Sequence, residues 1–305
     1  MNSAILPAHR SGVLLVVLSS CCVGVAPILM KIGLSEKLDP VALLTLRMVI
    51  ASIALWIGFY FFYRKMIRMR GIDLLFCFLL GLLNCGASLC YINSLLHIKA
   101  SIATVIVSCY PAMVLILMAL KGEKATKTDG LRLSLMLIGV YVLIGPGGNV
   151  DMFGTILAFL AAFFYAVFLA LMQWFPWTHK HQTVSLHSVS FMALVMMAVF
   201  SFRSNGWALP STYGWAVVVS LGVVSTALAR LAIFAGIHKI GSAQAALLSP
   251  LETLITVILA YMLLGEKLSG FQWVGAAMMI ISGVLLILNS PKMKRKKLLL
   301  EKHNG

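Results

Sequence analysis

The sequence predicts an all-α, polytopic membrane protein with ten transmembrane helices arranged as two inverted five-helix repeats. Three observations predict it: long apolar runs, an uneven distribution of basic residues, and landmarks that recur about 140 positions apart. Of the 305 residues, 61% are hydrophobic and 11% are charged. Globular proteins in water carry about 45–50% apolar and about 25% charged residues. This composition therefore indicates a chain that lies in a lipid bilayer.

The apolar runs are separated by charged, proline-rich and glycine-rich segments. A helix needs about 20 mainly apolar residues to cross about 30 Å of hydrocarbon. The runs are apolar on all sides, unlike the alternating strands of a β-barrel, so each is predicted to be a helix. The predicted spans are 12–34, 41–63, 73–95, 100–120, 129–146, 152–174, 184–202, 213–236, 242–264 and 270–290.

The first span follows Ala8, His9 and Arg10, a charged start that secretory signal peptides share. The apolar run is long for the hydrophobic region of a signal peptide. The repeat described below also requires this segment as a structural member. We therefore interpret it as a retained transmembrane helix.

Basic residues predict the orientation of the chain in the membrane. The formal net charge of +15 would suggest nucleic acid for a soluble protein, but the basic residues here cluster at the ends of apolar spans. Sixteen Lys and Arg residues lie in loops on one side of the predicted membrane and five on the other. The positive-inside rule places the richer side, which holds both termini, in the cytoplasm. An even number of spans also requires both termini on one side.

Landmarks of the first half recur in the second. Residues 122–124 (Gly-Glu-Lys) recur as 265–267, Gly12 corresponds to Gly154, and Gly81 and Ser101 correspond to Gly222 and Ser242. Each half contains five spans, so the second half enters the membrane in the opposite orientation. Inverted repeats are typical of secondary transporters, because exchanging the conformations of the two halves moves a cavity from one side to the other. The turn-rich segment 145–149 joins them.

These landmarks resemble the drug/metabolite transporter superfamily, specifically its ten-helix EamA-type members. The motifs that carry the resemblance are the opening helices Gly12 to Met30 and Gly154 to Met172, and the runs Ala100 to Pro111 and Ser242 to Pro250 that lead to Gly-Glu. The resemblance implies a cytoplasmic N-terminus at 1–11, EamA-like repeats at 12–149 and 150–290, and a basic cytoplasmic tail at 291–305.

The resemblance implies a carrier in the inner or plasma membrane rather than an enzyme. We expect a secondary transporter that exports small polar or amphoteric metabolites, such as amino-acid-like or metallophore-like compounds, by alternating access, with proton coupling left open. A flippase for a lipid-linked group and a drug efflux carrier remain alternatives. The expected partners are a small-molecule substrate and membrane lipids, with a homodimer open and no nucleic acid.

Ionisable residues within spans are the first candidates for the substrate site, because such groups are costly in a bilayer. Glu252 alone among the nine acids is predicted to lie mid-span, about 15 Å deep, and Arg230 about 10 Å deep. We expect these two to pair in at least one state, with Glu252 binding a proton or an amine and Arg230 a carboxylate. A fixed structural ion pair is the alternative. Arg47, about 9 Å from the other surface, either attracts anionic solute or anchors its helix.

Polar and aromatic side chains on other spans complete the predicted cavity, although such groups also join neighbouring helices. They are Asn84, Tyr91, Asn93, Tyr110 and Gln244. Prolines within spans, which remove a backbone donor, are candidate hinges or static bends: Pro27, Pro111 and Pro250. The six cysteines lie in apolar segments without ligand spacing, and no metal or cofactor is expected.

Overall fold

The computed structural model describes residues 5–62, 64, 67–69, 71–120, 151–175, 181–202, 210–240 and 250–288, with seven helical positions between 131 and 142. Most of these residues are helical, and none of them forms a β-strand. The helices are α1 (Ile5–Gly24), α2 (Ala26–Ser35), α3 (Pro40–Phe62), α4 (Ile72–His97), α5 (Ala100–Val107), α6 (Tyr110–Leu120), α7 (Met152–Trp174), α8 (His181–Ser201), α9 (Thr212–Gly222), α10 (Ala229–Ile240), α11 (Pro250–Leu264) and α12 (Gly270–Leu288), with a π turn (Val223–Leu228) between α9 and α10.

Six stretches of the described residues are long and apolar enough to cross a membrane. Their outward faces carry large apolar side chains; Phe62, for example, is 77% exposed. A surface of this kind requires lipid, so the chain is a multi-pass membrane protein. The six stretches are Ser11–Ser35, Pro40–Phe62, Ile72–His97, Met152–Met172, Gln182–Ser201 and Thr212–Ile237.

Three of the predicted spans contain a locally irregular turn within an otherwise continuous helix. The first span divides into α1 and α2 at Val25, and the fourth divides into α5 and α6 at 108–109. Both interruptions lie two or three residues before a predicted hinge proline, which cannot donate a backbone N–H to the preceding turn. The eighth span contains the π turn, which no proline marks. Most of the fifth span, and residues 242–249 of the ninth, lie outside the described residues.

Side-chain caps fix the start of several helices. Asp39 accepts hydrogen bonds from the N–H groups of Val41 and Ala42 at the start of α3, each at 3.0 Å. Asp151 accepts from the N–H of Phe153 at 2.8 Å at the start of α7. These caps satisfy donors that have no partner within the helix.

The helices pack so that the two halves of the sequence interleave. Helix α1 lies against α10 and α11, α4 against α7 and α8, and α3 against α8 and α9. Helix α5 contacts both α7 and α11. The interruptions of the first, fourth and eighth spans therefore face the interior, against helices of the opposite half.

Candidate functional site

The first two turns of α11 contact the irregular turns of both the first and the fourth span. The Thr256 hydroxyl donates to the Gly24 carbonyl, at the end of α1, at 2.8 Å. The hydroxyls of Thr253 and Ser108 lie 2.7 Å apart, which joins α11 to the break between α5 and α6. The predicted hinges Pro27, Pro111 and Pro250 thus all lie next to this junction, which we call the helix-break junction.

Glu252 lies in the first turn of α11, at the helix-break junction. A Cβ on Gly24 would lie 3.0 Å from the Glu252 carbonyl oxygen, so a glycine lets α1 approach α11 closely. The Glu252 carboxylate is in electrostatic range of the phenols of Tyr110 and Tyr165. No described cation lies within ion-pairing distance of it.

Arg230, in α10, bonds to a neutral partner. Its Nη1 donates to the Ser185 hydroxyl of α8 at 2.6 Å. The expected pair with Glu252 is therefore absent from this conformation, in which Tyr165 lies in electrostatic range of both groups. The pair was expected for at least one state and stays a prediction for another.

Arg47 reaches the π turn from α3. Its Nε donates to the Thr226 hydroxyl at 3.1 Å, and its Nη1 lies 3.9 Å from the Met30 sulfur. Its guanidinium is also within electrostatic range of Tyr91 and Arg230. Arg47 therefore faces the interior of the bundle and does not extend to the membrane surface.

Tyrosines from three helices face the same interior. The rings of Tyr110 and Tyr165 meet edge to face, with centroids 4.9 Å apart, and Tyr165 stacks on Phe168 at 5.7 Å. The Tyr91 hydroxyl lies 2.8 Å from that of Thr104. Protein surrounds Arg47, Arg230, Glu252 and the three tyrosines, yet each keeps some accessible surface. These six side chains, here called the central cluster, therefore lie inside the helix bundle and remain partly accessible.

Three predicted lining residues remain, Asn84, Asn93 and Gln244. No contact among the described residues places them in the central cluster. The Asn93 amide donates to the Leu89 carbonyl of its own helix at 2.7 Å. Asn84 is buried in α4. Gln244 lies outside the described residues. Among those residues no group of three or more His, Cys, Asp or Glu side chains could hold a metal ion.

A second polar group closes one end of the bundle. Glu266 is buried and accepts hydrogen bonds from the N–H of Ala100 (2.8 Å), the N–H of Ser101 (3.1 Å) and the Ser101 hydroxyl (2.7 Å). Lys31 Nζ lies 3.7 Å from Glu266 Oε1 and donates to the Ile98 carbonyl at 2.6 Å. The carboxylate thus caps the N-terminus of α5, where negative charge is favourable. Lys31 belongs to this group, which we call the Glu266 closure.

Gly265 positions the Glu266 closure. Its φ of +64° is in the left-handed region that favours glycine and turns the chain at the end of α11. The Glu266 N–H then donates to the Ala260 carbonyl at 3.2 Å. The repeated Gly-Glu pair was the sequence signal for this contact, although the pattern alone did not name a partner.

A polar contact between α4 and α7 lies outside the central cluster. His97 Nδ1 is 2.9 Å from Asp151 Oδ2. The pKa of the Asp151 carboxyl lies below its ordinary value, chiefly because the Phe153 N–H donates to it and also because His97 is adjacent. This exposed contact holds the start of α7 against the end of α4.

Sequence reasoning missed Tyr165, Ser185 and Thr226. Tyr165 directly follows Phe163 and Phe164, so it stands out little in an apolar helix. Serine and threonine are common within spans. Their roles depend on which helices are neighbours. The spacing of four residues between Thr226 and Arg230 was the available signal, because such residues share a helix face.

The chain is similar in sequence to known transporters. The model of the EamA-like transporter family matches residues 10–145 and again 152–289. An uncharacterized transporter of Archaeoglobus fulgidus is 26% identical over 198 residues, which cover 64% of this chain and 70% of the relative. The uncharacterized transporter YcbK of Bacillus subtilis is 24% identical over 311 residues, covering 94% of each chain.

A crystal structure at 16% sequence identity has the same fold, with a TM-score of 0.61 over 94% of this chain and 98% of the other. At this identity the likeness concerns the fold alone. The family match, in contrast, extends over nearly all of the chain. The chain is therefore a polytopic membrane transporter that belongs to the EamA-like transporter family.

Proposed function

We propose that this transporter exports small polar or amphoteric metabolites, such as amino-acid-like or metallophore-like compounds, across the cytoplasmic membrane by alternating access. The observation that carries the proposal is the central cluster, in which two arginines and one glutamate lie inside the helix bundle beside irregular helical turns. Ionised groups in spans mark substrate and ion pathways.

The proposed mechanism uses two five-helix repeats that are related by inversion. They are residues 12–149 and 150–290. A pair of glycine contacts supports the symmetry. A Cβ on Gly81 would meet Ser188 and Phe191 of α8, and one on Gly222 would meet Arg47 and Ile50 of α3. Each residue of the first contact lies 141 positions from its counterpart in the second, with the halves exchanged. The two matches to the family model also support a repeat of ten helices.

The loop charges support cytoplasmic termini, which would put the Glu266 closure on the outer side of the membrane. The conformation described above would then be closed to the outside. Export requires a second conformation in which the Glu266 closure opens and the cytoplasmic side closes. Exchange of the repeats' conformations would produce it.

Glu252 is the proposed proton carrier. In the present conformation it has no described cationic partner, and Arg230 bonds to Ser185. A protonated Glu252 would be stable in this apolar setting, whereas an ionised one would need a cation. Pairing with Arg230 in the other conformation would supply that cation and release the proton. Proton and substrate would then alternate at one site.

The test begins with metabolites that cells retain or release. Cells that overproduce the chain are compared with cells that lack it, and the compounds whose distribution changes are assayed in proteoliposomes with and without a pH gradient. We expect export to depend on the gradient in the wild type. The Glu252→Gln variant, which cannot titrate, should transport at a rate independent of pH or not at all.

Glu36→Gln is the matched control, because Glu36 is exposed after α2 and is not part of the central cluster. It should retain gradient-driven transport. Normal pH coupling in Glu252→Gln would refute the proton-carrier role. An unchanged set of metabolites in both cell types would refute metabolite export itself.

A further inference from the structure

The two arginines of the central cluster lie within electrostatic range of each other, although they come from opposite halves of the chain. Arg47 bonds to Thr226 in the π turn, and Arg230 follows Thr226 by four residues on the same helical span. Residues four apart share a face at a rise of about 6 Å. The guanidinium groups are close enough to repel each other.

Their described partners carry no negative charge. Arg47 uses Nε on a threonine hydroxyl and Nη1 on a thioether, and Arg230 uses Nη1 on a serine hydroxyl. The Lys31–Glu266 ion pair and the His97–Asp151 contact lie outside the central cluster. A guanidinium has five N–H donors. Donors on both arginines therefore remain for a ligand between the helices.

Two neighbouring cations without a carboxylate partner are costly inside a membrane protein. A bound anion would offset both their repulsion and their loss of hydration. Guanidinium groups suit carboxylate and phosphate because their paired N–H groups match two oxygens at once. Cations also outnumber the acid in the central cluster by two to one. The charge balance therefore favours a negatively charged substrate over a neutral or cationic one.

The protein wall next to the arginines is aromatic. Tyr165 lies in electrostatic range of Arg230, and its ring meets Tyr110 edge to face on one side and Phe168 in a stack on the other. Such a wall buries apolar or planar groups. A ligand held by the arginines would extend its organic part along this wall.

We propose that Arg47 and Arg230 together bind the carboxylate or phosphate of an organic anion, whose apolar part packs against Tyr110 and Tyr165. The proposal rests on the proposed transport function for its biological meaning and narrows the substrate class from amphoteric metabolites to net anions. Each half of the chain supplies one arginine. The site is therefore complete only when α3 and α10 are close together, so substrate binding would respond to movement of the halves.

The test is ligand binding to the full-length chain in detergent, measured by the shift of melting temperature. The probes share a phenyl group and differ in charge: phenyl phosphate, phenylacetate, 2-phenylethanol and 2-phenylethylamine. We expect both anions, at millimolar concentration, to raise the melting temperature and the alcohol and amine to leave it unchanged. A larger shift with phenyl phosphate would assign a phosphate-type group, and a larger shift with phenylacetate a carboxylate; either supports the proposal.

Variants then locate the binding. Arg47→Gln and Arg230→Gln should each weaken anion binding by about tenfold or more, as expected for loss of a hydrogen bond to a charged group. The double variant should lose little beyond the weaker single variant, because both arginines serve one anion. Lys267→Gln, an exposed basic residue outside the cluster, is the control and should bind like the wild type.

The proposal is wrong if no anion shifts the melting temperature, if the alcohol and amine shift it equally, or if the double arginine variant binds anions normally. Because this assay needs no gradient, anion binding without vesicle transport would refute the transport proposal and leave the arginine site intact. Gradient-driven transport that survives in the double arginine variant would refute the arginine site and leave the transport proposal intact.

Discussion

Glu266 joins the two halves of the molecule through one carboxylate. It belongs to the second half by sequence, but its three hydrogen bonds go to Ala100 and Ser101, and its ion-pair partner is Lys31. Both carboxylate oxygens accept from the start of α5. A carboxylate is therefore better suited than an amide, which would point an N–H group toward backbone donors.

We predict that Glu266→Gln lowers the melting temperature of the purified protein by about 5 °C, because hydrogen bonds to a charged group contribute about 1.5–3 kcal/mol each. The measurement is thermal unfolding in detergent, followed by tryptophan fluorescence. Glu36→Gln, in an exposed turn, should melt like the wild type. Equal melting of wild type and Glu266→Gln would show that the cap contributes nothing to stability.

At the residue scale the sequence identified the charges of the site better than their partners. Arg47, Arg230 and Glu252 stand out because ionised groups are rare in apolar spans. Depth along each span suggested that Arg230 and Glu252 pair, but depth does not determine the direction in which a long side chain extends. Ser185, on a helix from the same half, bonds to Arg230 here. That contact depends on helix packing, which the residue pattern does not encode.

The π turn is the element that brings the arginines together. Its Thr226 hydroxyl accepts from Arg47 and donates to the Leu221 carbonyl at 3.1 Å. Ser19 of α1 donates to the Ala229 carbonyl, just after the turn, at 2.9 Å. Three helices thus supply hydrogen bonds at the point where the regular helical pattern is lost. Such π turns are frequent at functional sites.

Helix α9 reaches α3 closely only because Gly222 has no side chain. A Cβ at this position would lie 2.7 Å from the Ile50 Cγ2 and 3.0 Å from the Arg47 carbonyl oxygen. We predict that Gly222→Ala destabilises the protein by about 1–3 kcal/mol, and that it impairs transport because α3 carries Arg47. Thermal unfolding and vesicle transport measure the two effects.

Gly270→Ala is the matched control for Gly222→Ala. No atom lies within 4 Å of a Cβ built on Gly270, so this substitution should change neither stability nor transport. If both alanine variants behave alike, close approach of α9 and α3 is not required. Reduced transport in Gly222→Ala with unchanged stability would place the effect on movement of the helices.

At the element scale, residue patterns predicted the existence of the helices and part of their irregularity. Apolar length is sufficient to identify α3, α4, α7 and α8, whose bounds lie within a few residues of the predicted spans. Prolines predicted irregularity near Pro27 and Pro111, because a missing N–H weakens the preceding turn. The π turn was not predictable in this way, since the segment 223–228 contains only ordinary helix-compatible residues.

For the whole molecule, the contacts occur in corresponding sets. Helix α1 contacts α10 as α4 contacts α7, and α3 contacts both α8 and α9. The two halves therefore share one interface, with the Glu266 closure at one end and the central cluster inside. Since the closure joins residues from both halves, it must break if that end opens to admit or release substrate.

Cross-linking the closure tests this movement. Lys99 Nζ donates to the Lys267 carbonyl at 2.6 Å, so cysteines at positions 99 and 267 should be joined by a short, cleavable thiol linker. In a background without the six native cysteines, we predict that the linker stops transport in proteoliposomes and that cleavage restores it.

Cysteines at Ser269 and Gln272, hydrogen-bonded neighbours within the second half, provide the control. Linking them bridges no moving interface and should leave transport unchanged. Full transport with positions 99 and 267 joined would mean that this end stays closed throughout the cycle, and alternating access through it would be excluded.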